Sequence, residues 1–189
     1  MGMFTATTAG VLGAPDAVGR VTTAVLAAVA ALTVHTLGHY YAGRRIAGIP
    51  AASITVDPRR PPQHVALEDD DGWITAVDAA RYRAAYEEFD PALDHFERFL
   101  AGGDIVQTAV VVPAALLLAT AGFPVTAGLV VVGSLLATAL LVALDAATTQ
   151  VRDRAAGDYS ALWGIERRVP VLILLGVVLV HCGVFWVVA

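Results

Sequence analysis

Four long apolar stretches constrain this chain more than any other feature. They span residues 21–41, 105–122, 125–144 and 169–189, and none contains Asp, Glu, Arg or Lys. A helix needs about 20 apolar residues to cross the hydrocarbon core of a bilayer, where its backbone must satisfy its own hydrogen bonds. The expected fold is all-α in the membrane, with four transmembrane helices and a small cytoplasmic α/β insert between the first and second. The chain then divides into an N-terminal tail at 1–20, a first helix at 21–50, the insert at 51–104 and three further helices at 105–189. No small-residue cleavage site follows the first stretch, so it reads as a retained span rather than a leader.

Charge placement orients the helices. All twelve basic residues are arginine. Seven (Arg44, Arg45, Arg59, Arg60, Arg81, Arg83, Arg98) lie between the first two stretches, and four (Arg152, Arg154, Arg167, Arg168) between the last two. Only Arg20 lies on the other side. By the positive-inside rule, loops 42–104 and 145–168 are expected in the cytoplasm and both termini outside. The absence of lysine, with twelve aspartates against five glutamates, is the profile of a salt-adapted source such as a halophilic archaeon. An acidic balance without a basic run gives no reason to expect nucleic acid. The single cysteine, Cys182, excludes an internal disulfide.

In the insert, 53–56 and 64–67 are short β-prone runs around the turn-rich segment 57–62, which predicts a hairpin. Thr75 reads as the cap of a helix to about Phe89. A second amphipathic helix is expected to end near Leu100, before Gly102-Gly103. The insert carries twelve acidic residues against five arginines, as a solvated cap or a docking surface would.

The segment from Val34 to Pro50 carries the chemistry. His35 and His39 lie one helical turn apart and project from one face, the spacing of a bidentate metal clamp. In the zincin pattern His-Glu-x-x-His, the residue after the first histidine is the glutamate that activates the metal-bound water. Here that residue is Thr36, whose hydroxyl has no proton acceptor of useful pKa near neutrality. His64 and His95 are expected at the surface of the insert, and His181 with Cys182 as a packing pair. His181 lies roughly 18 Å along its helix and His35 about 9 Å, so a bis-histidine haem is disfavoured.

Residues 34–56 resemble the site-2-protease family of intramembrane zinc metalloproteases. The likeness lies in His35-Thr36-Leu37-Gly38-His39, Arg44-Arg45, Gly48-Ile49-Pro50 and the β-prone Ser53-Ile54-Thr55-Val56. It implies two zinc-binding histidines near the cytoplasmic face and a third ligand, an aspartate, two helices later, where Leu144-Asp145-Ala146 stands. Asp145 is the preferred third ligand, since it ends an apolar helix where an aspartate is costly unless partnered. A looser similarity to membrane zincin peptidases, through the segment 158–170, makes Asp158 the rival. Two departures matter: Thr36 in place of the glutamate, and no Asn or Pro at 133–144, where an Asn-x-x-Pro element usually precedes the aspartate.

The resulting expectation is a polytopic membrane protein that binds zinc but does not cut peptides, and that engages a membrane partner or substrate. The alternatives are an active, atypical membrane metallohydrolase and a structural membrane subunit without metal.

Overall fold

The computed structural model describes residues 17–57 and 64–188. The tail up to residue 16 and most of the turn-rich segment 57–62 fall outside the described residues. Four helices are long and apolar enough to cross a membrane: α1 (Ala17–Arg45), α3 (Phe96–Thr120), α4 (Pro124–Arg152) and α6 (Arg168–Val188). This is the arrangement of a multi-pass membrane protein. A short helix, α5 (Asp158–Ile165), sits between α4 and α6. The outward faces of α1 and α6 present Val21, Val25, Leu26, Leu172, Leu175 and Leu179, all exposed, as a lipid-facing surface requires.

Between α1 and α3 lies a three-stranded antiparallel sheet in the order β1 (Ile54–Asp57), β2 (His64–Asp69), β3 (Gly72–Thr75). The expected hairpin is β1–β2, with Ile54 opposite Leu67 and Val56 opposite Val65. The third strand was not expected. It pairs Leu67 with Ile74 and turns back at Asp70-Asp71. Thr75 precedes a single 3-10 turn, Ala76–Asp78, and makes no side-chain cap bond; α2 then runs Ala79–Glu87.

The insert is not a detached cap. Its buried residues Ile54, Val65, Leu67, Tyr82, Tyr86, Phe96 and Phe99 form one cluster with Ala42 of α1 and Leu162 of α5. Tyr86 stacks on Phe99 at a centroid distance of 5.1 Å, and the Tyr82 hydroxyl donates to the Val65 carbonyl at 3.2 Å. The sheet therefore packs on the bundle's end and closes over α1.

The second expected insert helix does not stop before Gly102-Gly103. It continues through them as α3. These glycines are points of close helix approach rather than breakers. A Cβ on Gly38 would lie 2.5 Å from the Gly102 carbonyl oxygen, and one on Gly102 would lie 2.7 Å from the Ala42 Cβ. Such contact is what small residues allow between membrane helices. One consequence is that Asp104, expected at the edge of the insert, sits inside a long apolar helix and is only 3% exposed.

Candidate metal centre

The buried stripe of α1 consists of Ala31, His35, Thr36, Gly38, His39, Ala42 and Gly43. The two histidines recur at one-turn spacing on this stripe, so both enter the bundle against α3. The His39 Nδ1 lies 2.9 Å from the Phe99 carbonyl oxygen. A carbonyl only accepts, so Nδ1 carries a proton and Nε2 turns inward, where a neutral ring offers a lone pair to a cation. The His35 Nε2 faces it at 3.0 Å, with the rings edge to face at a centroid distance of 4.7 Å.

The third group at this point is Asp158, the first residue of α5. Its Oδ2 lies 3.2 Å from the His39 Nε2 and 4.0 Å from the His35 Nε2. Burial raises the Asp158 carboxyl pKa, but the adjoining His39 and His35 imidazoles outweigh it and hold the group well below the usual carboxylate range. Ligand atoms of His35, His39 and Asp158 all lie within 4.8 Å of one another. Zinc bonds of about 2.0–2.2 Å at tetrahedral angles put ligand atoms roughly 3.3–3.6 Å apart. The observed separations bracket that edge, so the donor set and spacing fit such an ion.

Asp145 does not join this group. Its Oδ2 accepts the Ser160 backbone N–H at 2.9 Å, and its Oδ1 accepts the Thr149 hydroxyl at 3.1 Å. A carboxylate against the first turn of a helix satisfies an otherwise unpaired N–H and the positive end of the dipole. Gly157 permits the approach, since a Cβ there would lie 2.6 Å from the Asp145 Cγ. The aspartate preferred as third ligand thus seats the helix whose first residue is Asp158. Thr36 is buried, and its hydroxyl donates to the Leu32 carbonyl of its own helix at 3.0 Å. The residue that follows the first histidine is thus engaged with its own backbone.

Three contributors escaped sequence reasoning. Gly103 is the closest: a Cβ there would lie 2.4 Å from the His39 Nε2 and 2.6 Å from the His35 Nε2. Asp104 follows, with its Oδ1 3.7 Å from the His35 Nδ1. Tyr159 donates its hydroxyl to both Asp104 oxygens, at 2.9 and 3.0 Å. An aspartate directly after a glycine pair was the available signal, and it was hidden by placing the helix start at residue 105.

A cavity of about 270 Å³ opens beside the cluster, lined by Val65, Val77, Tyr82, Leu141 and Leu144 together with His64. His64, expected at the surface, therefore faces the site; burial pushes its imidazole pKa down. His181 is fully buried, whereas Cys182 is exposed, so the two do not pack as a pair. The His181 Nδ1 donates to the Val177 carbonyl at 2.8 Å, which leaves Nε2 to accept the Ser134 hydroxyl at 2.9 Å. Gln107 completes that network by donating to the Ser134 Oγ at 2.9 Å.

Comparison with protein-family models, curated proteins and solved structures gives no match for this chain. The likeness to site-2-proteases rests on the residues quoted above.

Proposed function

We propose that this chain is a membrane protein that holds one divalent metal, zinc by its donor set, through His35, His39 and Asp158. It would engage a membrane partner or substrate at the metal's open position without cutting it. The observation that carries this reading is the convergence of two imidazole Nε2 atoms and one carboxylate oxygen at 3.0, 3.2 and 4.0 Å. Two Nε2 atoms at such a distance must share either a proton or a cation, since two facing lone pairs would repel. Three protein ligands beside a cavity are the pattern of an open metal site rather than a closed structural one. A zinc bound there would supply Lewis acidity toward a carbonyl or carboxylate oxygen.

Peptide hydrolysis also needs proton transfer to the leaving amine, commonly worth about 10²–10⁴-fold. Thr36 cannot supply it. With loops 42–104 and 145–168 in the cytoplasm, the site would lie at that face. In a Cys182→Ser background, modification of Val151→Cys, at an exposed position, by an impermeant thiol reagent applied outside intact cells would reverse the orientation.

Purified protein is expected to contain about one zinc per chain, reduced to background by the double substitution His35→Ala/His39→Ala. A transmembrane substrate panel should remain uncut. A ratio near zero in zinc-replete wild type would favour the metal-free subunit. The hydrolase reading draws on His64, the one further imidazole lining the cavity. Cleavage by wild type, lost in both His35→Ala and His64→Gln, would establish it.

A further inference from the structure

Resting on that metal reading, we infer that Asp104 and Tyr159 form the positioning unit for His35, an outer carboxylate that orients the imidazole and raises its basicity toward the metal. The two histidines are supported differently. His39 has a backbone carbonyl on its Nδ1, which fixes its tautomer and ring angle. The His35 Nδ1 is buried without a hydrogen-bond partner; with Nε2 on a metal it would carry the ring proton, and a buried N–H is expected to have a polar group at hand. The Asp104 Oδ1, 3.7 Å away, is that group, and a small rotation of the ring brings it into hydrogen-bond range.

Asp104 is itself built to serve. A carboxylate inside an apolar helix is costly unless it is partnered. The Tyr159 hydroxyl supplies one shared donor to its two oxygens, leaving lone pairs on Oδ1 for the imidazole. Tyr159 directly follows Asp158, so one contact ties the back of the first ligand to the helix that begins with the third. Asp104 meets the Nδ1 edge of His35, while Nε2 faces the cluster. It therefore cannot reach a group bound at the open metal position, and its role is positioning rather than catalysis. Ligating histidines commonly show such a carboxylate, whose loss costs about 10–100-fold in metal affinity.

The test uses the full chain in detergent, with zinc affinity read by chelator competition and ligand geometry by the visible spectrum of the cobalt(II) form. Asp104→Asn keeps an acceptor for the Tyr159 hydroxyl and removes the charge. It should weaken zinc binding by about 10–100-fold and shift the cobalt spectrum, with the thermal midpoint of the metal-free protein unchanged. Tyr159→Phe should weaken binding in the same direction. The double variant should lose no more than Asp104→Asn alone, since Tyr159 acts through Asp104. Wild-type affinity and an unshifted spectrum in Asp104→Asn would overturn the inference and leave Asp104 a purely structural partner of Tyr159. If Asp104→Asn does not fold, full affinity in Tyr159→Phe overturns it instead. Failure of wild type to bind either metal would remove the metal reading itself.

Discussion

His39→Ala is expected to weaken zinc binding by more than about 100-fold, beyond the roughly 10–100-fold range of outer contacts. The substitution removes the best-anchored ligand. The His39 ring is held by the Phe99 carbonyl on one side and meets both the His35 Nε2 and the Asp158 carboxylate on the other. Without it, His35 and Asp158 are left 4.0 Å apart with no third donor between them. Chelator competition on the purified variant checks this. An affinity within a few-fold of wild type would mean that the metal lies elsewhere.

Gly103→Ala should have a comparable effect through a single methyl group. The new Cβ would fall 2.4 and 2.6 Å from the two Nε2 atoms, well inside contact distance. The α3 backbone is fixed by its packing on α1, so the imidazoles must give way. Overpacking of this kind costs about 1–3 kcal/mol, which a folded bundle can absorb while the ligand atoms are driven apart. Zinc affinity should therefore fall far more than stability. Gly38→Ala provides the contrast, because its Cβ would strike the Gly102 carbonyl oxygen at 2.5 Å. Backbone cannot rotate aside, and that variant should lose thermal stability first. Metal content and thermal midpoints measured together separate the two. Wild-type zinc content in Gly103→Ala would show that the histidines do not meet the metal through these atoms.

The spans and the histidine pair were legible because each has a local signature: uninterrupted apolar runs, and polar residues at one-turn spacing on an otherwise apolar helix. The β1–β2 pairing was legible from the β-prone runs at 53–56 and 64–67 on either side of a turn-rich segment. The third strand was not, because Gly72-Trp73-Ile74-Thr75 holds one apolar pair and its Thr75 also reads as a helix cap. Gly102-Gly103 were misjudged since glycine signals both a break and a close approach, and only the packing of Gly38 and Ala42 decides between them. The choice between Asp145 and Asp158 lay beyond sequence for a similar reason. Asp145 lies in the last turns of α4 and Asp158 follows that helix, and both approach the bundle's end. Only the fold of the connection through Gly157 puts one carboxylate on the imidazoles and the other on the Ser160 N–H. Asp104 gives no such signature because it precedes the apolar run at Ile105, whereas α3 begins at Phe96.

The most direct test of the central claim compares zinc affinity in Asp158→Ala and Asp145→Ala. The Asp158 carboxylate lies 3.2 Å from the His39 Nε2, so its removal should cost more than about 100-fold in affinity, beyond the range of outer contacts. The Asp145 carboxylate caps the helix that carries Asp158, and losing a cap costs about 0.5–2 kcal/mol. Asp145→Ala should thus lower stability and reduce zinc affinity by no more than about the 10–100-fold of an outer contact. The reverse order, with zinc lost in Asp145→Ala and retained in Asp158→Ala, would contradict the account.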